Sequence, residues 1–248
     1  MGIGLIVIGD EVLSGRRVDK HLPNIIELLK PRGLVLSWVK ILSDDRDLLL
    51  HTFKESFASG DYVFSTGGIG STPDDLTRAV VAEALNIPLE QHPVGLELLN
   101  EFARENDREL LPHHYQMVEF PVGSEVIPNP VNKIPGFSVN NHFFTPGFPK
   151  MAEPMMDWVL THKLHHLVDQ HYCEKSVFAI GAHESVVTPL METLVANYPT
   201  LKLFSLPMMK GGERQIELGF KGNNELVEQA MTELIAGVET LGFYCKND

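Results

Sequence analysis

The chain has only two cysteines, Cys173 and Cys245, far apart and without the close pairing of a zinc site or a redox motif. The expectation is a reducing compartment with two incidental thiols. Long hydrophobic runs are missing too. No segment approaches the roughly 20 apolar residues that a membrane span needs, and the apolar opening Met1 to Ile8 is too short for a secretory leader and lacks a basic region. The expected setting is the cytoplasm, with no membrane partner. Runs of basic residues are also absent: Lys and Arg number 20 against 33 Asp and Glu, for a net charge of −13. That balance argues against a general nucleic-acid surface, which binds by clustered cations that displace counterions. An anionic ligand must therefore be held by local donors or by a metal. Low-complexity stretches and internal repeats are lacking as well, and 44% hydrophobic with 21% charged residues is ordinary globular usage.

What is present is a repeated alternation. Ile3 to Gly9 is a continuous apolar run ending in Gly and Asp, the pattern of a strand buried on both faces of a parallel sheet. Leu22, Ile25, Ile26 and Leu29 then fall at helical spacing, and Pro31 with Gly33 ends that helix. A strand is expected from about Leu34 to Leu42, then a helix with Ser43 at its N-cap, Asp44 and Asp45 near its dipole, and Leu49, Phe53 and Phe57 on its apolar face. Asp61 to Thr66 reads as a third strand and Thr72 to about Leu85 as a helix. Residues 86 to 141 are less regular, with helical character from Gly95 to Asn106. A strand at His142 to Thr145 leads into a helix from about Lys150 to His162. This order predicts an α/β fold, a mostly parallel sheet covered by helices on both faces. Beyond His171 the pattern changes to strand (Ser176 to Ile180), helix (Glu184 to Asn197), two strands around Lys210-Gly211-Gly212-Glu213, and helix (Glu225 to Leu241). That βαββα order predicts a separate small α+β unit, so the expected domains are 1–168 and 169–248.

Chemistry concentrates in Thr66-Gly67-Gly68-Ile69-Gly70-Ser71-Thr72-Pro73-Asp74-Asp75. Glycines between a buried strand and a helix start let backbone N–H groups approach an anion, and the helix terminus adds partial positive charge. Neither a dinucleotide fingerprint nor a Walker lysine fits. Thr72 to Asp75 has two readings. One is structural: Thr72 as N-cap, Pro73 at the first helical position, Asp74 near the dipole and Asp75 closing a capping-box-like arrangement. The other is a divalent cation bridging carboxylate and phosphate oxygens. Asp10 and Glu11 follow the first strand and read either as solvated acids or as site residues, with Arg16 and Arg17 as phosphate partners nearby. In parallel sheets ligands collect beyond the carboxyl ends of strands, where both Gly9-Asp10-Glu11 and Thr66-Gly67-Gly68 are expected.

Four motifs occur in order: Gly9-Asp10-Glu11-Val12-Leu13-Ser14-Gly15, the loop from Thr66 to Thr77, Asn129-Pro130 with Pro135-Gly136-Phe137, and Pro146-Gly147-Phe148-Pro149 with Met151. Together they resemble the molybdopterin-binding domain shared by molybdenum-cofactor biosynthesis proteins and competence/damage-inducible protein A, over residues 1 to 165. The paired-Asp helix start places the similarity on the competence/damage-inducible branch, whose small KH-like domain the tail resembles. The resemblance does not extend to the deamidase domain of some members, so amidase activity is not expected. It implies an α/β domain that forms homo-oligomers, a trimer or a dimer. It also implies a molybdopterin or nucleotide ligand and, in some relatives, hydrolysis of ADP-ribose or a flavin dinucleotide with a divalent metal (Mg, Mn or Co). Carried onto matching positions, it implies ligand contacts at Asp10, Glu11, Ser14, Gly67, Gly68, Gly70, Thr72, Asn129, Pro135, Gly136, Pro146 and Gly147. Asp74 and Asp75 are then the candidates to hold metal or handle protons. Two departures stand out: Ser71 where the related branch commonly has Pro, and Asn132 where Gly is frequent.

His162, His165, His166 and His171, and the adjacent His113 and His114, read as surface residues. Lys210-Gly211-Gly212-Glu213 reads as a hairpin turn and not as the Gly-x-x-Gly clamp of an RNA-binding domain. Three functions follow from the motifs: a binding protein for a pterin-type phosphate, a metal-dependent nucleotide pyrophosphatase, and a non-catalytic assembly module.

Overall fold

The computed structural model describes residues 1–246, and the chain divides into two compact units, Met1–Val168 and Asp169–Asp248. In the first unit the elements run β1 (Ile3–Ile8), α1 (Asp10–Leu13), α2 (His21–Leu29), β2 (Trp38–Leu42), α3 (Arg46–Ser59), β3 (Tyr62–Thr66), α4 (Thr77–Leu85), β4 (Leu89–Gln91), α5 (Pro93–Glu105), α6 (Pro112–Tyr115), β5 (Glu119–Pro121), β6 (Glu125–Ile127), β7 (Gly136–Val139), β8 (His142–Thr145) and α7 (Pro149–His162). Six strands form one sheet in the order β2-β1-β3-β8-β7-β6. The first four are parallel neighbours and the last two are antiparallel.

The alternation of side chains along a strand explains why this sheet takes helices on both faces. Ile3, Leu5 and Val7 of β1 join Phe64 and Phe143 in a cluster with Ile25 and Leu29 of α2 and Met155, Met156 and Val159 of α7. The intervening Ile6 and Ile8 join Val63 and Phe144 in a second cluster with Leu49 and Phe53 of α3 and Val80 and Val81 of α4. Along the antiparallel edge Phe137 stacks on Phe144 at 4.4 Å between ring centroids and on Phe120 at 4.8 Å, each pair contributing about 0.5–1.5 kcal/mol beyond area burial.

Local differences from the sequence reading have physical causes. Asp45, not Ser43, caps α3, its carboxylate accepting the Leu48 N–H at 2.8 Å. Strand β2 starts at Trp38, four residues later than expected, where its paired register with β1 begins at Gly4 and Trp38. Helix α4 starts at Thr77, since Asp75 turns its carboxylate back into the preceding loop and the Thr77 N–H bonds the Gly68 carbonyl.

The second unit comprises β9 (Tyr172–Ile180), α8 (Glu184–Asn197), β10 (Lys202–Lys210), β11 (Glu213–Asn223), α9 (Asn224–Thr240) and β12 (Tyr244–Lys246). Its antiparallel sheet runs β10-β11-β9-β12, and one core joins Val177, Leu218 and Phe220 to Val187, Leu194, Val227 and Leu234. Strand β12 completes the expected βαββα to βαββαβ by pairing with β9. Three residues are too few for a legible alternation, so only the pairing defines that strand. Among the described residues no helix is long and apolar enough to cross a membrane.

Candidate functional site

The carboxyl ends of β1, β2, β3 and β8 open onto one cleft of about 390 Å³. Gly9 and Glu11 follow β1, Asp44 follows β2, residues from Gly67 to Asp75 follow β3, and Pro146, Gly147 and Phe148 follow β8. This is where a parallel sheet leaves loops free to converge on a ligand.

The glycine loop is shaped by two left-handed residues, Gly67 at φ +101° and Gly68 at φ +67°. A Cβ on Gly67 would lie 2.2 Å from the Ile8 carbonyl oxygen, and one on Gly68 would lie 2.2 Å from Thr77 Oγ1. The chain therefore passes too close to β1 and α4 for any side chain. The Gly67 N–H donates to the Thr145 carbonyl at 3.1 Å, and Thr77 returns two bonds at 3.0 Å, from its N–H to the Gly68 carbonyl and from Oγ1 to the Gly67 carbonyl. Asp75 closes the far side: Oδ1 accepts the Gly70 N–H at 2.8 Å, while Oδ2 accepts the Thr72 N–H at 2.8 Å and the Thr72 hydroxyl at 2.6 Å. Among the described residues the N–H groups of Gly68, Ile69 and Ser71 have no protein acceptor, and all three residues line the cleft. Successive amide donors of this kind suit an anion.

Arg78 lies under the loop, 5% exposed, and donates to the Ile69 carbonyl. Burial lowers its pKa, and the charges of Asp75 and Glu119 oppose that shift. Opposite the loop, Asp44 Oδ2 accepts the Asp10 N–H at 3.1 Å. Burial raises the Asp44 pKa, the Asp10 N–H lowers it, and the charges of Asp10, Glu11 and Asp74 raise it further. Arg17 brings a cation to this acidic wall, 3.8 Å from Glu11. Behind the Pro146-Gly147 turn, buried His21 meets the Gly147 carbonyl through Nε2 at 3.3 Å. Burial lowers the His21 pKa against the opposing influence of Asp19, the Gly147 carbonyl and Glu11.

The cleft gathers Arg17 and nine of the fourteen positions that the family resemblance implies: Glu11, Gly67, Gly68, Gly70, Thr72, Asp74, Asp75, Pro146 and Gly147. The others stand outside its lining. Asp10 contributes its backbone to Asp44, and Ser14 is exposed at the end of α1. Asn129 is buried in a turn, where Oδ1 accepts the Val131 N–H at 3.0 Å and Nδ2 donates to Asn132 Oδ1 at 2.7 Å and to the Ile134 carbonyl at 3.0 Å. Pro135 is buried immediately before β7, and Gly136 packs where a Cβ would lie 2.1 Å from the Phe144 carbonyl oxygen. Asp74 and Asp75 share the cleft, but both Asp75 oxygens are engaged by loop donors. Among the described residues no group of three or more His, Cys, Asp or Glu side chains is arranged to hold a metal ion.

Asp44, Ile69, Met117 and Phe148 also line the cleft. The signal for Asp44 is its place just past a strand end, equivalent to that of Asp10. His21 falls four and eight residues before Ile25 and Leu29, on the buried stripe of α2. Arg78 similarly precedes Val81 and Ala82 on the buried side of α4. Met117 lies in the irregular stretch and has no sequence signal.

A family model described as a probable molybdopterin binding domain matches residues 4–166. A CinA-like protein of Anaeromyxobacter dehalogenans (strain 2CP-C) is 38% identical over 167 residues, covering 65% of this chain and 41% of that protein. The chain thus matches about two-fifths of the length of that relative. A protein of Caldivirga maquilingensis is 27% identical over 256 residues, covering 97% of this chain and 98% of its own. Among solved structures, the protein CinA with unknown function from Thermoplasma acidophilum superposes with a TM-score of 0.58 at 26% identity, over 65% of this chain and 98% of that one.

Proposed function

We propose, from the premise that this chain belongs to the molybdopterin-binding domain family, that it binds a molybdopterin-like pterin phosphate or a related nucleotide, with the phosphate on the loop from Gly67 to Asp75. The observation that carries this reading is the trio of N–H groups at Gly68, Ile69 and Ser71, which have no protein acceptor among the described residues and belong to a loop lining the cleft. Backbone donors in a partly enclosed site bind phosphate oxygens without a basic surface, which reconciles an anionic ligand with a chain of net charge −13. Arg17 adds the one charge-assisted contact that the lining offers from a side chain.

A second reading, metal-dependent hydrolysis of a nucleotide pyrophosphate, draws on the crowding of Glu11, Asp44 and Asp74 at the same cleft. These carboxylates do not make a metal site by themselves, so no chemical step is assigned to them. Magnesium, manganese or cobalt would enter together with the phosphate, which supplies the remaining oxygen donors.

Calorimetric titration separates the readings. A pterin monophosphate, AMP and ADP-ribose are titrated with EDTA or with each metal, alongside the dephosphorylated compounds. Saturable binding that requires the phosphate, with no turnover, supports the first reading. Metal-dependent release of AMP from ADP-ribose supports the second. Equal binding with and without the phosphate sinks both, as does no binding at all, and leaves the role of a non-catalytic assembly module.

A further inference from the structure

Beside the phosphate cleft lies a second cavity of about 540 Å³, whose surface is mainly apolar, with Phe148, Val18, Val131 and Met151 among its walls. Arg17 and Phe148 line both cavities, so the two adjoin. Phe148 is 56% exposed, Val18 86% and Val131 54%. Single exposed apolar residues need no explanation, but three around one cavity make a patch of the kind that marks a binding surface.

The surrounding structure holds this patch in place. The Phe148 carbonyl accepts the N–H groups of Met151 and Ala152 at 2.9 Å, which fixes the residue at the start of α7. The Asn129 carboxamide holds Val131 in its turn, and Asn132 Nδ2 meets Met151 Sδ at 3.7 Å. Arg17 stands at the junction, its guanidinium 6.0 Å from the Phe148 ring centroid and 3.8 Å from Glu11. Lys20 and Lys150 stand on the rim. In a chain of net charge −13, three cations around one apolar cavity is a local inversion of charge, and it suits a ring that arrives attached to an anion.

We propose that the site is bipartite and selects phosphorylated planar heterocycles, the ring packing on Phe148 between Val18, Val131 and Met151 while its phosphate reaches the glycine loop past Arg17. The proposal rests on the reading of that loop as the phosphate site. An aromatic side chain accepts any planar base or pterin on its face, so Phe148 is the specificity-determining residue for ring against no ring. Asn132 shapes the wall by holding Met151.

The test uses AMP, flavin mononucleotide and a pterin monophosphate against ring-free ribose 5-phosphate, with wild type, Phe148→Ala and Phe148→Trp. At least one ring-bearing compound is expected to bind wild type about tenfold or more tighter than ribose 5-phosphate. Phe148→Ala should abolish that preference by weakening the ring-bearing compounds far more than ribose 5-phosphate. Phe148→Trp should restore it and quench flavin fluorescence in the complex, a signal that a merely structural residue would not produce. If ribose 5-phosphate binds as well as every ring-bearing compound, or Phe148→Ala leaves the preference intact, the ring shelf is overturned while the phosphate site stands. If neither ribose 5-phosphate nor inorganic phosphate competes with any ring-bearing compound, the phosphate reading is overturned, and the bipartite site with it. Conversion of an oligomer to monomer by Phe148→Ala in sedimentation, with ring preference unchanged, identifies the patch as a contact between copies and also overturns the proposal.

Discussion

Asp75 accepts the Gly70 N–H at 2.8 Å across five residues of loop, so the carboxylate that sequence reading placed at a helix start instead braces the candidate phosphate site from within. With Thr72 supplying two further donors to the same carboxylate, one side chain accepts three of the loop's hydrogen bonds.

Asp75→Ala should therefore lower both stability and ligand affinity. At a half-exposed carboxylate each of the three hydrogen bonds contributes a net of about 0.5–1.5 kcal/mol, so a loss of about 2–4 kcal/mol in chemical denaturation is expected, with phosphate binding weakened at least tenfold. Asp74→Asn, at an exposed carboxylate of the same loop, should leave the unfolding midpoint unchanged. Equal effects of the two substitutions would show that Asp75 is not the brace.

Gly68→Ala places a Cβ 2.2 Å from Thr77 Oγ1 at φ +67°. Backbone strain and overpacking each cost about 1–3 kcal/mol. The expected result is a chain destabilised by roughly 2–6 kcal/mol that no longer binds the phosphorylated ligand. Urea melts and calorimetry on one preparation check both parts, and wild-type affinity in the variant would refute the role given to the loop.

Asp44→Asn removes a negative charge opposite the glycine loop while keeping an acceptor for the Asp10 N–H. In EDTA, binding of a ring-free phosphate should strengthen about threefold at low salt, and the gain should fade as salt screens it. If a cation shared by these carboxylates brings the phosphate in, the same substitution should weaken binding in magnesium, manganese or cobalt.

His142 gives the fold an acid-sensitive point. It is 1% exposed, its Nε2 is 2.8 Å from Ser56 Oγ and its Nδ1 is 2.8 Å from the Asn140 carbonyl. Burial pushes its pKa down from 6.5 to about 4. Above pH 6.5 the residue is neutral in folded and unfolded chains alike and adds no pH dependence. Between 6.5 and 4 only the unfolded chain takes up the proton, so stability falls by about 1.4 kcal/mol per pH unit, roughly 3 kcal/mol in all. Denaturation of wild type and His142→Gln at a series of pH values should give curves that diverge over this window. Parallel curves would contradict it.

The sheet and its helices were legible because their signals are local and repeated. The all-apolar run Ile3 to Ile8, the helical spacing through Leu29 and the strand His142 to Thr145 depend on burial on two faces, one face and two faces respectively. The short strands β4 to β7 were not legible, since three or four residues carry too little alternation and their pairing is set by partners elsewhere in the chain. Arg78 was hidden for a related reason: a buried cation is stable only beneath a carbonyl and near carboxylates that the loop brings to it.

By itself the sequence determined the two-part organisation of the pattern, the parallel βαβ character of the first part and the order of the glycine, Asn-Pro and Pro-Gly motifs, because periodicity and turn chemistry act over a few residues. Only the tertiary structure decided which motif residues meet. It brought Glu11, the glycine loop and Pro146-Gly147 to one cleft, left Asn129 and Gly136 to build the wall behind Val131 and Phe144, and set Phe148 beside Arg17 at the lip. The reason is that parallel pairing aligns the carboxyl ends of distant strands, and no local spacing records which ends become neighbours.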